Sequence, residues 1–390
     1  MPVCIYCEKD KPFEEMSLEH VIPRSLGGAY APNRLKTRRV CKKCNSNLGL
    51  FVDASFEKSP LVTHHLQLIA LACYSPISTN GVPLVYMGKT EFRLPQMKAN
   101  EICELYLGPR GETVYWIRPH SEHFYWYAGG NPRNVKTVST RAYFFLSENT
   151  ASDIRITFLS FRDAFKGRKV RKVFGTTFEL EGTSIEELGF SEPDQLDQKR
   201  IAQLHLAQSN GNKPRIEMCM NMDFDVRFLA KLARGIGFCM FGDQALSGNL
   251  AKELYKSIWH QKDDPTPRIP GAHIMGSLGA DKKFVRLCGH PHGIVLTLLQ
   301  APEGIVLNIN IAGKLIATTL CMDKSMLTDE NRQLIGDGIA FVLFRHLQTA
   351  LEIPLSLFIA HRSGLILYPP LQKIEEKINQ NPYCLKAEVS

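Results

Sequence analysis

Four cysteines and one Glu-His dipeptide lie within the first 45 residues of this chain. Cys4 and Cys7 form one C-x2-C pair in VCIYCEK, and Cys41 and Cys44 form a second in VCKKCNSN. A C-x2-C turn lets two thiolates converge on one tetrahedral ion, and two such turns complete a Cys4 site of the kind structural zinc takes. A redox dithiol would account for one pair and leave the other unexplained. Between the pairs runs SLEHVIPRSLGG, with Glu19 beside His20. A neutral imidazole takes a proton from water near pH 7. A lone Glu-His pair equally suits a surface carboxylate beside an ordinary histidine, so its flanks must decide.

Those groups need elements to hold them. MSLEHVIP reads as a short strand rich in β-branched and apolar residues. RSLGGAYAPNRL follows as a loop, with Gly27-Gly28 and Pro32 as turn signals. LKTRRV is a second extended piece leading to Cys41, and residues after Cys44 read as a helix broken or bent near Ser59-Pro60. Knuckle, strand, loop, strand, knuckle and helix together describe a ββα unit clamped by zinc.

The pattern C-x2-C, E-H-V-I-P-x-S-x-G-G, N, C-x2-C-N-x-x-x-G resembles the HNH endonucleases, in their zinc-knuckle, ββα-metal branch, over roughly residues 1–60. The resemblance implies that His20 is the general base. It implies that Glu19 and Asn45 hold a catalytic divalent ion, and that Asn33 orients the loop and supports the histidine. With Asn45 in the final position this is an H-N-N variant, and Cys4, Cys7, Cys41 and Cys44 bind structural zinc only. Oxygen donors suit Mg²⁺ or Mn²⁺, whereas thiolates suit Zn²⁺. Blander roles stand beside these: Asn33 as a loop residue, Asn45 as a helix cap and Asp53 as an exposed acid. One geometric tension follows, because adjacent strand residues point to opposite faces. Glu19 and His20 serve one phosphate only if the strand is twisted or bulged there, or ends in a groove.

The net charge is +8 over 390 residues, and its distribution matters more than its size. Arg34, Lys36, Arg38, Arg39, Lys42 and Lys43 form a run without an acid. Beside the catalytic residues that run is expected to grip the phosphates of DNA, double-stranded in this reading, without reading bases. A second cluster, RDAFKGRKVRKV at 162–173, offers another contact for nucleic acid, although a solvated edge is the simpler reading. Apolar residues make up 44% and charged ones 22%, which excludes a disordered chain. The N-terminus lacks a signal-peptide pattern, and no apolar run is long enough to span a bilayer, so a soluble cytoplasmic protein without a membrane partner is expected.

The length implies two or three domains. The reading is α+β: a nuclease module at 1–60, a strand-rich region at 61–213 and a C-terminal α+β domain at 214–390, with its boundary at Asn210–Pro214. In the middle region VPLVYMGKTEFRL, ETVYWIRPH and HFYWYAGG read as strands, GNPRN as a turn and SEPDQLDQKRIAQ as a polar connector. Apolar spacing predicts helices in DFDVRFLAKLARGIGFCMFG and NLAKELYKSIWHQ. KFVRLCGH, GIVLTLLQ, GIVLNINIAG and KLIATTLCM read as strands, and ENRQLIGDGIAFVLFRHLQTALE as one long closing helix. The C-terminal region is expected to position the target, to form a homo-oligomer, or to license cutting in response to a small-molecule or protein activator, as in bacterial defence effectors. The competing class is a catalytically inactive, zinc-stabilised nucleic-acid-binding or scaffold protein.

Overall fold

The structure is a computed structural model. It describes the chain apart from residues 76, 79, 121–137, 177–184, 210–214, 219–221, 262, 266, 268, 270–272, 276–280 and 382–390. The expected strand at 123–130, the turn at 130–134 and the boundary at 210–214 lie outside the described residues. The chain divides into two compact units, Met1–Glu57 with Leu68–Cys73 and Asn221–Ser390, and Lys58–Gln67 with Tyr74–Met220.

The N-terminal module follows the expected order. A bridge between Val3 and Asp10 closes the first knuckle. Strands β1 (Met16–His20) and β2 (Lys36–Cys41) pair antiparallel, from Met16 opposite Cys41 to His20 opposite Lys36. The Gly pair has a steric reason: Gly27 has φ +92°, and a Cβ on Gly28 would sit 1.8 Å from the Ile22 carbonyl oxygen. Helix α1 (Lys42–Leu48) starts at the second knuckle and runs on through a wider turn, Gly49–Asp53. Helix α2 (Pro60–Ala72) begins afresh at Pro60, where proline's missing N–H costs nothing.

The second unit holds a six-stranded sheet of β3 (Val85–Thr90), β4 (Glu101–Leu107), β5 (Thr113–Pro119), β6 (Thr140–Phe145), β7 (Val170–Phe174) and β8 (Ile216–Glu217). Its order is β7-β6-β5-β4-β3-β8, and only β6 and β7 are parallel. A parallel pair needs a crossover, supplied by helix α3 (Ile154–Ala164). Alternation along the strands splits the core: Trp116, Phe144 and Phe174 meet Phe161 of α3 on one face. Tyr115, Tyr143 and Val173 meet Leu204 on the other. Leu204 belongs to helix α4 (Gln195–Ser209), where the sequence suggested a polar connector. The helix reads as polar because its buried stripe mixes Leu204 and Ile201 with Asp197 and Arg200, which hydrogen-bond to Tyr143.

The remainder of the first unit opens with helices α5 (Met222–Phe241) and α6 (Gly248–Trp259), as the apolar spacing predicts. Gly242 ends α5 with φ +68°. Then come β9 (His273–Met275), α7 (Lys282–Leu287), β10 (Ile294–Ala301), β11 (Gly304–Ile311) and β12 (Leu315–Asp323). Next are α8 (Asp329–Ile335), β13 (Ile339–Phe344), β14 (Thr349–Pro354), α9 (Leu355–Arg362) and α10 (Pro369–Asn379). The strands form one antiparallel sheet, β14-β13-β10-β11-β12-β9. Two expectations fail here. The segment 283–290, expected as a strand, is helical as far as Leu287 and then turns, with Asp281 capping α7 by accepting from Lys283 N. The long closing helix is instead α8, β13 and β14: Gly336 (φ +53°) and Gly338 (φ +115°) break it, and the fully buried run Ile339–Phe344 pairs with β10. Among the described residues no helix is long and apolar enough to cross a membrane.

Candidate active site

The four knuckle sulfurs gather within 4.8 Å of one another. Backbone geometry sets them up: Cys41 N–H points at Cys4 Sγ (3.3 Å) and Cys44 N–H at Cys41 Sγ (3.4 Å). Hydrogen bonding from Cys44 and from backbone amides pushes the Cys4 thiol down to about 4 despite its burial. The same bond, with burial, drives Cys44 upward. Four thiols converging in this way are a donor set suited to a divalent cation, and tetrathiolate coordination is that of structural zinc. Among the described residues no other group of His, Cys, Asp and Glu gathers in this way.

Strand β1 separates Glu19 from His20. The register slips between Ser17 and Glu19, whose partners are Val40 and Thr37, so β2 carries one extra residue there. The bulge does not bring the two side chains to one face. His20 is half-buried, and burial together with Arg24 and Lys36 holds its pKa below the usual value. The ring is therefore neutral at pH 7, the state a base requires. Asn33 is exposed, and its Oδ1 accepts from Lys36 Nζ (3.1 Å). No hydrogen bond among the described residues joins it to His20.

Glu19 faces inward and is 4% exposed. Lys231 of α5 lies 3.1 Å from its Oε1 and 2.5 Å from Asp53 Oδ2, and Tyr6 OH donates to Glu19 Oε1 at 3.4 Å. Burial raises the pKa of both carboxyls, with Lys231 opposing. Burial also works against the Lys231 ammonium, but Asp53 and Glu19 outweigh it and raise its pKa. Two carboxylates thus share one ammonium, and Asp53 Oδ1 is buried without a hydrogen-bond partner. Asn45 is engaged elsewhere: its Nδ2 donates to Ser17 Oγ and Leu18 O, each at 3.1 Å, which ties α1 to β1. Its Oδ1 takes no hydrogen bond among the described residues. The two residues implied as ligands of the catalytic ion therefore hold different partners, and Glu19 as placed is neutralised by lysine rather than open to a metal.

The basic run is likewise divided. Arg34 donates to Glu352 and stacks over Phe341. Arg39 pairs with Asp243 (3.0 Å). Lys36 is half-buried against Asn33, whereas Arg38, Lys42 and Lys43 are exposed and have no carboxylate partner among the described residues. The surface available to phosphates is thus smaller than the composition suggests.

Helix α5 was legible as a helix but not as the module's buttress. Besides Lys231, its Arg234 donates to the Ile5 carbonyl, to Ala251 O (2.8 Å) and to Glu8. Phe228 stacks on Phe56 at 3.8 Å, and Gly235 lets the helix approach Tyr6 and Val21. The available signal was three cations, Arg227, Lys231 and Arg234, at helical spacing on a stretch that otherwise carries apolar residues from Phe228 to Phe241.

Residues 4–61 match the family described as HNH endonuclease. No curated protein and no solved structure matches the chain significantly.

Proposed function

Taking residues 4–61 as an HNH endonuclease module, we propose that this protein is a metal-dependent endonuclease that hydrolyses DNA phosphodiester bonds, with His20 as general base. The observation that carries the proposal is the His20 ring: half-buried on β1, neutral at pH 7, and flanked by Arg24 and Lys36. In this reading the imidazole removes a proton from the attacking water. Arg38, Lys42 and Lys43 hold phosphates along the backbone, and Asn33 keeps Lys36 and the loop in place. A bound Mg²⁺ or Mn²⁺ would supply charge stabilisation at the scissile phosphate and leaving oxygen. Asn45 Oδ1, which takes no hydrogen bond among the described residues, could hold such an ion, and Glu19 becomes available only on exchanging Lys231. The four cysteines would keep zinc as a structural clamp that fixes the Cys4–Cys7 knuckle against the end of β2 and the start of α1.

We extend the reading to a defence effector whose C-terminal region controls cutting, a suggestion that rests on layout alone. Full activity of the purified chain without added ligand would argue against a required activator. The second reading, a catalytically silent nucleic-acid-binding protein, is favoured by one observation, the commitment of Glu19 to Lys231. Supercoiled plasmid incubated with zinc-loaded protein and Mg²⁺ or Mn²⁺ separates the two. Nicking is expected. Plasmid left intact with both ions, although bound, would establish the second reading.

A further inference from the structure

The second basic cluster runs from the end of α3 through the following turn into β7. The chain folds it so that its cations divide between two faces of β7. Arg171 turns to one side and pairs with Asp197 (3.0 Å). On the other side lies a cleft of about 540 Å³, lined by Asn80, Arg162, Phe165, Lys166, Arg168, Val170 and Lys172. Helix α3 contributes Arg162, the turn after it Lys166 and Arg168, and strand β7 Val170 and Lys172. Asp163, next to Arg162, is already engaged: it accepts from Arg162 (2.8 Å) and from the Gly81 backbone (2.8 Å), which pins the Asn80 loop to α3. Lys166, Arg168 and Lys172 have no carboxylate partner among the described residues.

Two of these cations are held in place by rings. The Arg168 guanidinium lies over Trp116, 5.0 Å from its centroid, and the Lys172 ammonium over Phe190 at the same distance. Such stacking orients a cation without neutralising it. Burial, with the neighbouring Arg162, holds the Lys172 pKa below its usual value. Gly167, with φ +74°, makes the tight turn that brings Lys166 and Arg168 together.

We propose that this cleft binds the phosphodiester backbone of nucleic acid, as a second contact separate from the HNH module. Its polar inventory is four cations and the single amide of Asn80, so it recognises charge rather than base edges. That favours a backbone over a free nucleotide, which shares the phosphate chemistry but needs groups for its base. The proposal rests on the nucleic-acid reading above only in its choice of probe.

The test reads binding, not cleavage, so a chain without nuclease activity still decides it. Fluorescence anisotropy of a labelled 20-base-pair duplex is measured with the full chain, without added divalent ion, across a salt series. Lys166→Glu/Arg168→Glu is compared with Lys282→Glu/Lys283→Glu, which changes net charge equally at exposed positions of α7. The cleft variant should bind about tenfold more weakly or worse at low salt. The slope of log affinity against log salt should fall by about 2, one unit for each phosphate no longer gripped. Lys166→Gln/Arg168→Gln should shift both readouts in the same direction, with wild-type thermal unfolding as proof of folding. Equal losses in cleft and control variants, or a wild type that binds no duplex, would overturn the proposal. So would micromolar ATP binding that the cleft variant abolishes while duplex affinity stays unchanged.

Discussion

Replacing Lys231 by methionine should be among the single changes most damaging to the N-terminal module it supports. The side chain is 3% exposed and meets Glu19 at 3.1 Å and Asp53 at 2.5 Å. At an effective dielectric near 20 these contacts represent roughly 5 and 7 kcal/mol of attraction, set against several kcal/mol of desolvation for each ion. The intact triad therefore contributes little net stability. Methionine keeps the volume but leaves two buried carboxyls with no counter-charge, and breaking a buried pair in this way costs about 3–5 kcal/mol. Proton uptake sets a similar scale, since holding one carboxyl protonated at pH 7 costs about 4 kcal/mol. Urea unfolding at pH 7 should show a loss of this size. The charge-free combination Lys231→Met/Glu19→Gln/Asp53→Asn should recover most of it, because the deficit lies in uncompensated charge rather than packing. A Lys231→Met loss below about 1 kcal/mol, or a triple variant no better than the single, would refute this account of the triad.

Three further outcomes follow from the same geometry. Gly235→Ala gains up to about 1 kcal/mol of helix propensity, but its Cβ would lie 2.8 Å from Tyr6 Oη and 2.9 Å from Val21 Cβ. Overpacking costs about 1–3 kcal/mol, so thermal unfolding should show net destabilisation, and a stabilised variant would mean that α5 does not press on the module. Cys41→Ser should lower bound zinc, measured by elemental analysis, and lower the unfolding temperature; full zinc content would remove Cys41 from the ligand set. His290 is buried beside Glu375, Arg362 and His292, and burial, opposed by its bond to Glu375, pushes its pKa down to about 4. Its unfolded value near 6.5 is higher, so the unfolded chain takes the proton first, and this stability is present above pH 6.5 and lost as pH falls towards 4. His290→Gln should reduce the slope of stability against pH in that window by about 1.4 kcal/mol per unit; an unchanged slope would contradict the assignment.

How much of this was legible in the sequence depended on whether a signal was local. The cysteine spacing and the Gly27-Gly28 turn are local, and the ββα order followed from them. Strands β10 to β12 were readable because apolar runs end at glycine turns. The segment 330–352 misled because its apolar residues fit a helix as well as a strand, and only the positive φ of Gly336 and Gly338 decides against it. Asp281 and the stripe of α4 were similarly weak signals. The candidate site shows the harder limit. Glu19 beside His20 was visible, but its inward turn depends on Lys231, over 200 residues away, and a buried charge cannot be recognised before its partner is known. Arg34 and Arg39 left the expected phosphate grip for the same reason, each pairing with an acid distant in sequence.

The assignment of His20 is the central claim, and single-turnover cleavage of duplex DNA by wild type and His20→Ala, with Mg²⁺ or Mn²⁺, tests it most directly. Loss of a positioned general base should slow the chemical step by about 10²–10⁴-fold, with duplex binding unchanged because His20 carries none of the backbone-gripping charge. Equal cleavage rates for the two proteins would contradict it.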